Sequence, residues 1–323
     1  MKYFDVFNGD ADGICALLQL RLADPRDSEL ITGVKRDISL AKQVKAKAGD
    51  KVTILDVSLD KNRDAVVELL GAGAEVFYVD HHFAGDIPDH SALTTRINTA
   101  SDVCTALLVN GYLKGQFALW AIVGAYGDNL RQSAAALAKG LDLDEAQLTA
   151  LENLGIYLNY NGYGASLDDL HFHPAELYRQ LLPFPNPLEF MAVTGGAFEK
   201  LETGYKNDMA AAAQLPPAEA DQVSAVYILP NEPWARRVSG VYSNDLANDN
   251  PDRAHAVLTE KADGNYLVSI RAPLNNKQGA DEFCRQFPTG GGRAAAAGIN
   301  DLPATGLADF MSRFAQFYGA LAS

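Results

Sequence analysis

The sequence predicts an α/β protein: an N-terminal domain built on a mostly parallel sheet, followed by a smaller α/β C-terminal domain. Three observations predict it. Short apolar strands alternate with helical stretches of about ten residues through roughly the first 130 residues. A proline-bearing break, "AAAAQLPPAEADQ" (Ala210–Gln222), is followed by a return of β-type runs. Clusters of aspartate and histidine come directly after apolar runs, at strand ends, where open α/β sheets build their sites.

The strands expected in the first half are Tyr3–Phe7, Leu30–Val34, Val52–Leu55, Val76–Val79 and Thr94–Ile97. Amphipathic stretches at Ile14–Leu22, Leu40–Lys47 and Arg63–Leu70 read as the helices between them. Crossovers of this kind are right-handed. From Asp102 to about Leu158 the pattern is helical, rich in alanine and leucine, and "PFPNPLEF" (Pro183–Phe190) interrupts it. Beyond the second break, "SAVYIL" (Ser224–Leu229), "AHAVLTEK" (Ala254–Lys261) and "NYLVSIRAP" (Asn265–Pro273) read as strands. The boundary is placed near Pro216–Asp221, giving domains at 1–215 and 222–323.

Composition narrows the function classes. The 323-residue chain is long enough for two cores, and 48% hydrophobic residues supply them. Its formal net charge of −14 argues against a groove that grips long duplex nucleic acid by its backbone. No apolar run reaches the roughly 18–20 residues of a membrane span. The N-terminus lacks the basic start and apolar stretch of a secretory signal, so a cytoplasmic location is expected and no membrane partner. Cys15, Cys104 and Cys284 form no CxxC pair and lie in apolar helical patterns, as small buried residues do.

The chemistry concentrates at element ends. "FDVFNGDADG" ends the first strand with Asn8, Asp10 and Asp12, and Gly13 opens a helix. "VTILDVSL" ends a strand in Asp56, and "VFYVDHH" ends another in Asp80, His81 and His82. "LWAIVGAYGDN" is an apolar helix whose last turn reaches Asp128. Each piece alone has a structural explanation: aspartates cap helices, and a histidine pair is often only polar surface or satisfied core. Together they would converge along one sheet edge, where their charges repel unless divalent cations intervene. Aspartate and histidine without thiolate suit Mn²⁺ or Mg²⁺ rather than a structural zinc.

In these motifs the chain resembles the DHH phosphoesterase family, named for the triplet found at Asp80–His81–His82. "NGDADG" resembles the family's first motif, Asp56 its second, "VDHH" its third and "GAYGDN" its fourth. In the C-terminal half, "YLVSIRAP" and "FPTGGGRAAAAGIN" resemble the associated substrate-binding domain. The resemblance implies a two-metal phosphoesterase with a cleft between its domains. It implies Asp10, Asp12, Asp56, His81 and Asp128 as ligands of two Mn²⁺ ions, with Mg²⁺ an alternative and Asp56 the bridge. It further implies that His82 faces the scissile phosphate and that Asp80 orients a histidine.

Two positions depart from the family pattern. Where many members have a histidine four residues before the first aspartate, this chain has Val6. Where many have a histidine after the three glycines, it has Arg293, which grips phosphate but cannot shuttle a proton.

The second domain has an anion-binding logic of its own. Gly290, Gly291 and Gly292 can turn backbone amides toward phosphate, or can be a plain flexible turn. The following "AAAAG" reads as a small-residue helix with its N-terminus at that loop. Arg271 and Arg293 add fixed charge, and Arg236 and Arg237 are surface charges or further contacts. "LNYNGYG" (Leu158–Gly164) is either a substrate loop, with Asn161 as an amide donor, or a tyrosine-rich surface loop. Asn8, beside the first aspartate, is a further substrate-binding candidate. "HFHP" (His171–Pro174) has no third ligand nearby to make a metal site.

The expected function is metal-dependent hydrolysis of a short oligonucleotide, with a mononucleotide or nucleotide bisphosphate next. The chain also lacks the extra length that long-strand exonucleases of this family devote to a further nucleic-acid domain. Pyrophosphate or polyphosphate hydrolysis on the same metals is the alternative, and a non-catalytic nucleotide-binding module a third reading. The oligomeric state stays open, a homodimer included.

Overall fold

A computed structural model describes residues 1–321, and they divide into two compact units, Met1–Thr203 and Gly204–Ser323. The division falls inside a helix, upstream of Pro216–Asp221.

The first unit opens with the apolar run YFDVF, which forms β1 (Tyr3–Phe7), and Asp10 caps α1 (Ala11–Ala23). Then come β2 (Glu29–Ile31), β3 (Lys51–Leu55), α2 (Leu59–Gly71), β4 (Glu75–Asp80) and β5 (Leu93–Ile97). All five strands are parallel, in the order β2-β1-β3-β4-β5. Helices follow: α3 (Thr105–Tyr112), α4 (Ala118–Gly127), α5 (Arg131–Ala138), α6 (Glu145–Asn161), α7 (Pro174–Leu181), α8 (Pro187–Met191) and α9 (Ala197–Ala213). Phe4, Val6, Val52, Ile54, Val76 and Tyr78 join Leu59, Val66 and Leu70 in one buried cluster, so alternate residues of the central strands pack against α2.

One expected helix is much shorter. Within Leu40–Lys47 only Leu40–Gln43 winds, as a single 3₁₀ turn. Asn62 accounts for part of this: its side chain accepts from Ala41 N at 3.0 Å and donates to Ile38 O at 2.7 Å, so the backbone bonds to a side chain rather than to a continuing helix.

The second unit carries β6 (Glu219–Ala220), β7 (Ser224–Leu229), α10 (Pro233–Asp249), β8 (Ala254–Glu260), β9 (Tyr266–Arg271), α11 (Ala280–Cys284), β10 (Gly290–Gly292), β11 (Ala296–Leu302) and α12 (Leu307–Leu321). Its sheet runs β10-β11-β9-β8-β7-β6, antiparallel except for the parallel β7–β8 pair. Phe283 sits edge-on to Phe310 and Phe314 at 5.5 and 5.4 Å between ring centroids, in the apolar cluster that joins α11, α12 and the sheet. Among the described residues no helix is long and apolar enough to cross a membrane.

The alanine run after the glycines is a hairpin turn (Ala294, Ala295) leading into a strand (Ala296, Ala297), not the helix its composition suggests. Gly290–Gly292 pairs antiparallel with Ala297–Ile299, and Arg293 and Ala296 close the hairpin through mutual backbone bonds of 2.9 and 3.2 Å. Ala296 and its neighbours also pair with Arg271, Ile270 and Ser269 of β9. Two ladders outweigh the small helix preference of a few alanines.

Candidate metal centre

The chain's progress across the first sheet reverses between β1 and β3. It steps from β1 outward to β2, then from β3 outward through β4 to β5. Such a reversal leaves a crevice at the strands' C-terminal ends. Asp10 and Asp12 follow β1, Asp56 follows β3, and Asp80, His81 and His82 end β4 or follow it. Asp128 caps the C-terminus of α4. Gly124 lets that helix close on the site: a Cβ there would stand 2.6 Å from Ala106 Cβ and 3.2 Å from Cys15 Cβ.

Each acid is held. Asp10 Oδ1 accepts from Gly13 N at 3.1 Å. Asp12 accepts from the first amides of α3, Thr105 N at 2.8 Å and Ala106 N at 2.7 Å, as carboxylates do at helix N-termini. Asp56 Oδ1 accepts from Thr105 Oγ1 at 3.1 Å. Asp56 also sits in the left-handed region at φ 59°, a conformation that aspartate tolerates better than most residues and that is common at functional sites.

His81 supplies the key geometry. Its Nδ1 lies 2.9 Å from the carbonyl oxygen of Val103, which can only accept, so the proton sits on Nδ1. Nε2 therefore turns its lone pair to Asp128 Oδ2 at 3.4 Å, Asp56 Oδ1 at 3.5 Å and Asp12 Oδ2 at 3.9 Å. Two donors on one ion at about 2.1 Å stand about 3.0–3.5 Å apart at octahedral or slightly wider angles. The donor set fits a divalent cation with a taste for oxygen and imidazole.

The electrostatics agree. Burial, then the nearby Asp12, Asp10 and Asp128 charges, hold the Asp56 carboxyl well above the usual carboxylate range. Burial and Asp128 raise Asp12 in the same way. His82 is 38% exposed, and its Nδ1 meets Asp80 Oδ1 at 2.8 Å. The other Asp80 oxygen is buried without a hydrogen-bond partner.

Other candidates fall elsewhere. Asn161 spends its amide on the Phe172 backbone, at 2.9 and 3.0 Å. Asn8 bonds Lys35 O at 3.2 Å and Asp10 N at 3.3 Å, so its amide braces the loop. Leu158–Asn161 is the buried last turn of α6 rather than a surface loop. His173 caps α7 and His171 meets Tyr160 Oη at 2.7 Å. In the second unit, Arg271 Nε donates to Asn244 Oδ1 at 2.7 Å, and Arg271 pairs in register with Ala296, beside the hairpin that bears exposed Arg293. Gly290 and Gly292 have packing reasons: a Cβ would stand 1.7 Å from Cys284 O and 2.5 Å from Ala297 Cα. Arg237 pairs with Asp208 at 2.8 Å, and Arg236 bonds Asn231 Oδ1 at 2.6 Å. A 640 Å³ depression lined by Arg21, Lys51, Glu75 and Arg96 includes none of the centre's residues.

Sequence reasoning misses Lys35, Asn159, Thr105 and Val103. Lys35 lies just beyond the end of β2, on the edge that carries the aspartates, and that position is its only signal. Its ammonium meets Asp10 Oδ2 at 2.5 Å, Asn159 Oδ1 at 2.9 Å and Asp128 Oδ1 at 3.5 Å. Burial opposes its charge, but Asp10, Tyr163 and Asp128 prevail and hold it well above the ordinary lysine value.

No sequence-family model and no curated protein matches the chain. Solved structures do. A manganese-bound exonuclease RecJ superposes with a TM-score of 0.64 at 17% identity, over 98% of this chain and 90% of its own. RecJ from Thermus thermophilus in complex with Mn²⁺ gives 0.63 at 17% identity, over 99% of this chain and 52% of its own. A pGpG-specific phosphodiesterase, PggH from Vibrio cholerae, gives 0.57 at 15% identity, over 98% and 99%. Over nearly its whole length the chain therefore has the α/β fold of RecJ and of that phosphodiesterase.

Proposed function

We propose that the chain is a DHH-type, metal-dependent phosphoesterase acting on short oligonucleotides or small nucleotide phosphates. The observation that carries this reading is His81 Nε2 facing oxygens of Asp12, Asp56 and Asp128 at 3.4–3.9 Å. Mn²⁺ is the expected ion, with Mg²⁺ next, and the two RecJ structures bound to manganese support that choice. When bound, the ion would supply Lewis acidity and a water whose pKa is lowered toward neutral.

The chain's own residues have distinct tasks. Thr105 and the Ala106 amide hold Asp12 and Asp56 in position, so these carboxylates stay crowded despite repulsion. Val103 fixes the His81 tautomer. Asp80 orients His82 through Nδ1, and His82 is the proposed contact for a phosphoryl oxygen. In the second unit, Arg271, Arg293 and the Gly290–Gly292 loop are the proposed phosphate-binding set. At Gly291 an added Cβ would meet no atom within 4 Å, so the surface there is open to a ligand.

The small-substrate preference rests on the net charge of −14, which disfavours long duplex. The test is turnover with Mn²⁺ on a panel: a 5′-labelled dinucleotide, a longer single strand, a nucleotide bisphosphate and pyrophosphate. Fast cleavage of the dinucleotide with slow cleavage of the long strand is the expected result. Turnover of pyrophosphate alone would overturn the substrate.

A further inference from the structure

The DHH pattern implies two ions, whereas the two donor triads gathered here, Asp12–His81–Asp128 and Asp56–His81–His82, both draw on His81. His81 offers a single nitrogen to the centre, because Val103 holds the other. His82 Nδ1 is committed to Asp80. Val6, at the position where many family members carry a histidine, is fully buried in the apolar cluster behind β1. Three further oxygens of the crevice, Asp10 Oδ2, Asp128 Oδ1 and Asn159 Oδ1, point at one group, the Lys35 ammonium.

We propose that Lys35 is the resident second cation of this centre, so that the chain binds one divalent ion rather than two. The inference rests on the phosphoesterase reading above and changes its metal count. Asp128 has the role of a bridging carboxylate: Oδ2 stands 3.4 Å from His81 Nε2, on the metal side, and Oδ1 stands 3.5 Å from Lys35 Nζ. An ammonium has three hydrogens to donate, and three oxygens surround this one at 2.5, 2.9 and 3.5 Å. It brings one positive charge without needing an ion to be recruited.

Lys35 is also fixed from its backbone. Its N–H donates to Gly162 O at 2.7 Å, and its carbonyl accepts from Asn8 Nδ2 at 3.2 Å. The ammonium lies 5.5 Å from the Tyr163 ring centroid, a cation–π distance. Asn8, Asn159 and Tyr163 thus acquire one shared task, which is to hold a lysine in the crevice. A mobile surface lysine would have no such frame.

The experiment is Mn²⁺ binding to the full chain at pH 7.5, read as ions per chain by equilibrium dialysis with elemental analysis and as the Mn²⁺ electron-paramagnetic-resonance spectrum. One ion per chain and a mononuclear six-line spectrum are expected. Lys35→Met frees Asp10, Asn159 and one Asp128 oxygen, and should raise the count to two with a spin-coupled spectrum. Lys35→Arg keeps the charge and should stay at one, which guards against a folding defect in the first variant. Two ions in the wild-type chain would overturn the proposal. So would a folded Lys35→Met variant that remains at one ion. A chain that binds no Mn²⁺ would overturn the metal centre itself, and with it the phosphoesterase reading.

Discussion

Two charged clusters lie in the first unit, and they are built on opposite rules. At the middle of β1, Asp5 meets Arg21 in a bidentate pair at 2.5 and 2.7 Å, with Ser28 Oγ at 2.6 Å and Thr53 Oγ1 completing the bonds. One anion faces one cation, and both carboxylate oxygens are hydrogen-bonded. At the C-terminal end of the same strand, Asp10, Asp12, Asp56, Asp80 and Asp128 gather around a single lysine and two histidines. The first cluster is closed and structural. The second gathers an excess of carboxylates, braced by backbone amides, in groups that could hold a cation from outside. Charge balance, more than burial, separates a structural cluster from a working one.

Asp→Asn in each cluster sharpens the comparison. Asp56→Asn should reduce Mn²⁺-dependent turnover at least a hundredfold, about 3 kcal/mol or more of transition-state stabilisation, because asparagine keeps the left-handed backbone but loses the charge. More than about a tenth of the wild-type rate in that variant would break the account. Its stability should move the other way. The Asp56 carboxyl is raised above 3.8 in the folded chain, so ionising it opposes folding and stability falls as pH rises past that value. In chelator, Asp56→Asn should therefore melt above the wild type, by a margin that widens with pH.

Asp5→Asn should do the reverse. It leaves the Arg21 guanidinium buried without its partner, which costs about 3–5 kcal/mol of stability in denaturant titrations. Any loss of activity should follow the loss of fold, with the rate per folded molecule near that of the wild type.

The second unit supplies a neutral counterpart. Buried His255 is pushed from 6.5 down to about 4 by desolvation and by Arg253, so it folds uncharged. The unfolded chain takes up a proton as pH falls through 6.5 and the folded chain does not. Stability is thus fully present above 6.5 and declines toward pH 4, by about 3 kcal/mol. His255→Gln should remove that step from a stability–pH curve. The smallest effect separates two asparagines of α6: Asn161→Ala should cost about 1–3 kcal/mol of stability through the unbonded Phe172 backbone, with KM unchanged.

The strand-edge site is legible in the sequence because its signals are local. Tyr3–Phe7, Val52–Leu55 and Val76–Val79 are apolar runs that end in acid, and the parallel sheet aligns those ends. The alanine run 294–297 misleads because its state is set by pairing with β9 and β10, which lie apart from it in sequence or require the turn to be known. Lys35 is invisible for the same reason. Its three acceptors come from residues 10, 128 and 159, and nothing near Lys35 in sequence points to them. Asn159 and Asn161 lie in one conspicuous segment, but only helix phase decides which reaches the centre and which holds Phe172.

The central claim is that the uncompensated carboxylates of the sheet edge exist to hold a divalent cation. Calorimetric titration of Mn²⁺ into the wild-type chain and into Asp56→Asn at pH 7.5 tests it most directly. Saturable binding by the wild type and at least tenfold weaker binding by the variant are expected. Equal affinity in the two chains would contradict it.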